Sequence, residues 1–262
     1  MTEKPSVNCD WLGSLNRDGF TVIEGVVSPQ VVAELVDLAR PYLADKRAGV
    51  LERGGEAYGM RDLLWRAPEI KRLAASPELM DIARAIIGPG AFAVRGLFFD
   101  KTPTTNWNLP WHQDLTIAVR ARRDVVGFGP WTVKAGIPHA LAPADLLGRM
   151  VTLRLHLDDC GPHNGPMRVL PGSHAAGKLD AGSLGVWTAR AKEHAVDCLV
   201  AAGGVVVMRP LLVHASSAGT EPGHRRVIHL EYAAEALPDG LEWISEFSPA
   251  WVAQRANRAD SR

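Results

Sequence analysis

Val151-Thr-Leu-Arg-Leu-His-Leu157 alternates without a break between apolar and polar side chains. Successive side chains of a strand point to opposite faces, so Thr152, Arg154 and His156 share one face and Val151, Leu153, Leu155 and Leu157 the other. A polar face of this kind either meets solvent or lines a pocket, while the leucine face fills a core. On both sides of this stretch the chain has the same texture. Short β-rich runs at 91–100, 115–119, 167–170, 198–201, 205–208 and 227–232 are separated by Gly/Pro turns. Many short strands with turn signals indicate a sandwich or barrel. Before residue 90 the pattern is helical. Ser28-Pro29 and Ser76-Pro77 each place a capping residue before a proline at the first helical position, and apolar residues then recur at helical spacing. Gly88-Pro89 closes the second helix, and Phe20–Ile23 reads as a short strand. The expected fold is α+β, with N-terminal helices buttressing an antiparallel jelly-roll core. One domain spans 1–262: a helical part at about 10–90, the core at about 91–235 and a tail at 236–262. Two stretches, 120–147 and 172–195, read as long loops, the second partly helical around Leu184–Ala191; loops of this length are commonly functional covers.

Composition narrows the function. The chain has 262 residues, with 29 Lys+Arg against 29 Asp+Glu, and 47% of its residues are hydrophobic. That suits a folded chain with a sizeable core, and the charge balance leaves no electrostatic footprint for nucleic acid or an anionic membrane. Cys9, Cys160 and Cys198 form no paired motif, which fits a reducing compartment and offers no thiolate metal site. Neither a signal peptide nor a membrane-length apolar run is read, so the expected location is the cytoplasm and the expected partner a small molecule. Oligomeric state stays open.

The chemistry concentrates in three short motifs. Trp111-His112-Gln113-Asp114 puts an imidazole and a carboxylate at i and i+2, on one face of an extended strand. Such a pair is common by chance, and alone it reads as a surface histidine beside an acid. It is joined by His214, in Pro210-Leu-Leu-Val-His214-Ala-Ser216 after the apolar strand 205–208, and by Arg225, which opens the strand 227–232. Two histidines and one carboxylate on a β-scaffold match the facial triad of non-haem iron oxygenases, which leaves three coordination positions open. A guanidinium supplies a fixed fork for the far carboxylate of a chelating dicarboxylate, and the Ser216 hydroxyl can reach the same group.

These motifs, with Asn164-Gly-Pro-Met-Arg-Val-Leu-Pro-Gly-Ser-His174 and the Asp18-Gly-Phe-Thr-Val-Ile23 entry, resemble the phytanoyl-CoA dioxygenase (PhyH) family of Fe(II)/2-oxoglutarate oxygenases over about residues 19–233. The resemblance implies a double-stranded β-helix (cupin-like) core. It implies His112, Asp114 and His214 as iron ligands, and Arg225 gripping the distal carboxylate of 2-oxoglutarate with Ser216 as helper. Gln113 and Arg154 would also lie near the co-substrate. Arg226 would point away. Implied cofactors are Fe(II), 2-oxoglutarate and O2, with ascorbate supporting activity. The expected reaction is hydroxylation of a small polar metabolite or natural-product intermediate, releasing succinate and CO2. Halogenation is disfavoured because Asp114 is present.

Arg154 falls where an aromatic stands in the acyl-CoA hydroxylase of the family, which favours the pocket reading of the 151–157 strand and weakens an acyl-CoA substrate. His156, Thr152, His139 and Trp131 are the expected substrate contacts. Two other classes compete: a cupin-like isomerase or lyase using the triad with Zn(II) or Mn(II), and a non-catalytic binder. The first would not need the Arg225/Ser216 pair, and the second would have no reason to keep all three iron ligands.

Overall fold

The computed structural model describes residues 10–44, 49–221, 223–245 and 247–248. Cys9 and residues 249–262 of the expected tail lie outside them. In chain order the elements are α1 (Trp11–Asp18), β1 (Phe20–Ile23), α2 (Pro29–Ala44), β2 (Val50–Arg53), β3 (Glu56–Met60), α3 (Leu63–Arg66), α4 (Pro68–Ala74) and α5 (Pro77–Ile87). The β-rich part then runs β4 (Phe92–Lys101), β5 (Leu109–His112), β6 (Thr116–Ala118), β7 (Trp131–Lys134), β8 (Ile137–Leu141), α6 (Ala144–Gly148), β9 (Val151–His156) and β10 (Met167–Val169). It ends with a 3-10 turn (Ser173–Ala176), α7 (Ala181–Ala189), α8 (Ala191–His194), β11 (Val196–Cys198), β12 (Val205–Met208), β13 (His214–Ser216) and β14 (Arg225–Ala233).

The strands form a seven-stranded sheet in the order β1-β12-β9-β14-β4-β3-β2, facing a four-stranded sheet β11-β10-β13-β5. All pairings are antiparallel. This is the double-stranded β-helix, with four of the larger sheet's six neighbouring pairs joining strands that are not consecutive in sequence.

The alternation in β9 decides which face goes where. Leu153 and Leu155, with Val205, Val207, Ile228 and Leu230 of the adjacent strands, pack outward against the helical residues Leu35, Leu64, Ile70 and Leu79. Each fully buried leucine here contributes about 1.5–3 kcal/mol. The opposite face looks toward the smaller sheet. At one end of that space Val206 and Met208 meet Met167, Val169 and Cys198, closing it with apolar side chains. At the other end β9, β14 and β4 present Arg154, His229, Glu231, Arg95 and Lys101, and the space stays open.

The structure departs from the expected elements in several places. Residues 120–147 are not a loop. They carry the hairpin β7–β8, which joins β6 in a third, three-stranded sheet, and the helix α6. The turn is Ala135-Gly136, both at positive φ (52° and 81°), the mirror-image geometry that matches strand twist. The hairpin β2–β3 extends the main sheet beyond β4 and was not read from sequence. Ser28 caps α2 through the Val31 N–H (3.3 Å), but the Ser76 hydroxyl makes no cap bond and Pro77 alone marks the start of α5. The strand expected at 198–201 sits at 196–198, because Val200 instead bridges Cys160. Leu237, Leu241 and Trp243, in the expected tail, are buried against the third sheet, and Trp243 bridges Val119. No helix among the described residues is long and apolar enough to cross a membrane.

Candidate metal centre and its anion pocket

His112 and His214 are direct cross-strand partners on β5 and β13, and their rings stand 4.2 Å apart at the centroids. Each imidazole is held by its own strand. His112 Nδ1 lies 2.8 Å from the Pro110 carbonyl, and His214 Nδ1 lies 2.9 Å from that of Leu212. A carbonyl can only accept, so both Nδ1 atoms carry the proton and both Nε2 lone pairs are free.

Asp114 lies beyond the end of β5 rather than on the strand face expected from its spacing. It reaches the same point because its N–H donates to Pro210 O (3.0 Å). Its Oδ1 is 3.9 Å from His112 Nε2 and its Oδ2 3.7 Å from His214 Nε2. One donor atom from each of the three residues falls within 4.8 Å of the others. Asp114 Oδ2 is buried with no hydrogen-bond partner, a lone pair aimed at the centre of the cluster. Two neutral nitrogens, one carboxylate oxygen and an unpaired buried acceptor fit a divalent metal ion. Burial alone would raise the Asp114 pKa, but the His214, His229 and His112 imidazoles and Arg95 outweigh it and hold the carboxyl ionised. Burial pushes His214 down to about 4, keeping it neutral and able to ligate.

Gln113 uses all of its polar atoms on backbone. Its amide donates to Gly177 O (2.8 Å) and Leu211 O (2.6 Å), and its oxygen accepts from Leu179 N (2.9 Å). It ties the 112–114 segment to the turn before His214 and to the 172–195 segment.

The triad opens into a cavity of about 430 Å³. Arg225 and Arg154 line its wall, and Lys101 is buried behind Ser216 beside them, with no carboxylate bonded to any of the three. Arg225 donates to Gly165 O and its Nε has no partner; Arg154 donates to His229 Nδ1 (2.9 Å) and its Nε is likewise bare. Lys101, the direct β4 partner of Arg225, donates to Ser216 Oγ (3.1 Å) and Ser217 O. Burial, then Arg225 and Arg154, push Lys101 down to about 7. Burial, then Arg154, bring Arg225 down to about 10. Like charges held together out of water are unfavourable, so this cluster is built for an anion. Arg226 points away and pairs with Asp158.

The other expected contacts are placed differently. Thr152 and His156 share the Arg154 face but lie outside the cavity lining, fully buried. Both His156 nitrogens lack partners, and burial, then Arg154 and Arg225, hold its pKa well below normal. Trp131 and His139 also lie outside the lining. The hairpin packs Trp131 against the apolar cluster of the third sheet, and His139 Nδ1 faces Ile137 O at 2.9 Å. Sequence reading did not pick out Lys101, Arg61, Arg95, Lys134 or His229 as site residues. Arg95 donates to Glu231 (2.9 Å), and Glu231 faces His229 Nε2 at 3.3 Å. Arg154 has no acceptor, so His229 Nδ1 accepts from it and the ring proton sits on Nε2, toward Glu231.

A facial two-histidine, one-carboxylate site on a double-stranded β-helix, backed by a buried cationic wall, defines the class of cupin-like metal proteins. Within it, the chain belongs to the phytanoyl-CoA dioxygenase (PhyH) family, whose profile matches residues 15–227.

The chain is 26% identical over 179 residues to an ectoine dioxygenase of Sphingopyxis alaskensis, covering 66% of this chain and 52% of that protein. It thus spans about half the length of that curated relative. An ectoine dioxygenase of Stutzerimonas stutzeri is 24% identical over 97% of this chain and 86% of its own length. Among solved structures, AviO1 from Streptomyces viridochromogenes Tue57 is 28% identical with a TM-score of 0.64, covering 90% of this chain and 99% of that one. EctD from S. alaskensis with 2-oxoglutarate and 5-hydroxyectoine shares the fold at a TM-score of 0.68 and 22% identity, over 89% and 78%. So does the α-ketoglutarate-dependent epimerase SnoN from nogalamycin biosynthesis, at 0.65 and 20%, over 86% and 82%.

Proposed function

We propose that this chain is an Fe(II)- and 2-oxoglutarate-dependent oxygenase that hydroxylates a C–H bond of a small polar metabolite. The observation that carries the reading is a pair of adjoining sites in one cavity: three metal donors within 4.8 Å, and the buried guanidinium groups of Arg225 and Arg154, backed by Lys101, without a bonded carboxylate. A metal site alone would suit a cupin-like isomerase, which has no use for the second. Family membership and the 2-oxoglutarate and iron of related structures support the same conclusion.

In this reading His112, Asp114 and His214 hold the metal. Bound ferrous iron supplies the O2 chemistry that couples decarboxylation of 2-oxoglutarate, to succinate and CO2, with oxidation of the substrate. The protein's own work is positional. Arg225, Lys101 and Arg154 orient the co-substrate by its distal carboxylate, with Ser216 completing the Lys101 geometry. Gln113 fixes the 112–114 segment, and the apolar seal at Val206, Met208 and Met167 keeps water from the inner end. The chain works as one domain over 1–262, in the cytoplasm, the latter resting on its cysteine usage.

The test is succinate formation from 2-oxoglutarate with Fe(II) and ascorbate, with and without a metabolite library, beside His112→Ala and Arg225→Ala. Iron-dependent succinate that a library member stimulates, lost in His112→Ala and needing far more 2-oxoglutarate in Arg225→Ala, is the expected result. Bound iron without any succinate overturns the reading in favour of a non-redox metal enzyme.

A further inference from the structure

The cavity has a second cationic group at its other end. Along one face of β4, Arg95 and Lys101 are six residues apart, so their backbones are separated by about 20 Å. Lys101 belongs with Arg225 and Arg154. Arg95 belongs with Arg61, just after β3, and Lys134, at the end of β7: Arg95 lowers the pKa of Arg61, and Arg95 and Arg61 lower that of Lys134. Asp114 is perturbed by Arg95 and in turn perturbs Lys134 and Arg154, so the metal centre lies within electrostatic reach of both ends.

Only part of the outer charge is compensated. Glu231 is engaged by Arg95 and His229. Among the described residues, Arg61 and Lys134 form no ion pair and no side-chain hydrogen bond. Asp62, the other nearby carboxylate, makes none with either. Burial, then the neighbouring cations, lowers both pKa values. Arg61 and Lys134 both line the cavity, whose wall is also apolar and aromatic. Tyr58 and Trp107 meet at 4.6 Å between ring centroids with their planes tilted 57°, Trp107 reaching to within 5.4 Å of the Lys101 ammonium, and Leu51, Leu97 and Phe99 line the same cavity. Two half-buried cations, one just after β3 and one ending β7, thus face the cavity with no carboxylate bonded to either among the described residues.

We propose that Arg61 and Lys134 anchor an anionic group, carboxylate or phosphate, of the prime substrate, whose apolar body lies along Tyr58 and Trp107 beside the metal centre. This rests on the oxygenase reading and narrows its polar metabolite to an amphiphilic anion. The 2-oxoglutarate end and the substrate end are then separate cation sites on either side of the metal, which keeps the two anions from exchanging places.

The test is anaerobic binding to the full chain loaded with Fe(II) and 2-oxoglutarate, by calorimetry or ligand-observed NMR. The probes are cyclohexanecarboxylate, cyclohexyl phosphate and the uncharged cyclohexanecarboxamide. At least one anion binds tenfold or more tighter than the amide, and which of the two does so names the group. That preference falls to within threefold in Arg61→Met/Lys134→Met, while 2-oxoglutarate affinity stays within twofold. Arg225→Met gives the converse pattern. Anions that bind no better than the amide, or a preference that survives in the double variant, overturn the proposal. Failure of 2-oxoglutarate to bind the wild type, with the anion preference intact, instead overturns the oxygenase reading.

Discussion

Replacing Arg225 by Met removes a buried charge while nearly keeping its volume, and the cluster around it makes the outcome two-sided. In the free protein the guanidinium faces Lys101 directly across the β14–β4 pair and lies near Arg154, with only the Gly165 carbonyl as acceptor. For charge centres about 7 Å apart at an effective dielectric of about 20, each like pair costs about 2 kcal/mol. Relief of that repulsion offsets the lost hydrogen bond, worth about 0.5–1.5 kcal/mol. The unliganded variant is therefore as stable as wild type or more stable. The liganded one is not. A buried charge-assisted contact to a carboxylate is worth about 2–3 kcal/mol when neighbouring cations remain, so the Kd for 2-oxoglutarate rises about 30–150-fold. At a concentration 100 times the wild-type Kd, 2-oxoglutarate stabilises wild type by about 2.7 kcal/mol and the variant by about 0.3–0.9. With about 2–4 °C per kcal/mol, the ligand-induced rise in Tm shrinks from about 5–11 °C to about 1–4 °C. The assay is thermal unfolding with and without 2-oxoglutarate, beside anaerobic calorimetry. A free variant that melts well below wild type would mean the charge is satisfied internally. A Kd within threefold of wild type would mean the cluster serves another ligand. Either result refutes the reasoning.

Three further outcomes are expected. Because Lys101 titrates near 7 in the free protein, it is mostly neutral above that pH and must take up a proton to meet the anion. The affinity for 2-oxoglutarate is therefore full below pH 7 and falls by up to about tenfold per unit as pH rises beyond it; calorimetry from pH 6 to 9 should show this slope in wild type and none in Lys101→Met. Gln113→Leu strands Gly177 O, Leu211 O and Leu179 N, a loss of about 3 kcal/mol that lowers Tm by about 6–12 °C; succinate turnover should fall with it while the Kd for 2-oxoglutarate changes little. Gly165→Ala meets both a left-handed backbone (φ 71°) and a Cβ only 2.5 Å from Ser217 O. Denaturant unfolding should show a loss of about 2 kcal/mol or more, and 2-oxoglutarate affinity should drop because the carbonyl holding Arg225 moves.

The fold was legible where side-chain alternation and turn residues agree, as in β9, β12 and the proline-started helices. It was not legible where strands are short and polar. The β2–β3 hairpin turns at Gly54-Gly55 amid charged residues, and β7–β8 turns at Ala135-Gly136, whose composition is that of any loop. The same stretch carries Trp131 and His139, expected at the substrate; they lie outside the cavity lining, which the hairpin reaches through Lys134 instead. The three metal donors were readable because their chemistry is rare in combination. Lys101, Arg61 and Arg95 were not, since each lies in or beside a strand-like run where a lone cation reads as a solvated end. Only the cross-strand register, Arg225 against Lys101 and Glu231 against Arg95, turns them into a cluster.

The two faces of β9 also set which parts of the chain tolerate a change in length. Deleting one residue within 151–156 would swap the faces, driving Arg154 into the helical layer and Leu153 or Leu155 into the cavity, so this strand is locked in frame. The two-residue turn at Ala135-Gly136 is exposed and crosses no core. A hairpin can lengthen there without disturbing any other strand, and Lys134 stands immediately before it. Insertions at that turn would re-aim the outer cation while leaving the metal donors and the inner cluster where they are, giving the molecule a way to acquire new substrates without rebuilding its chemistry.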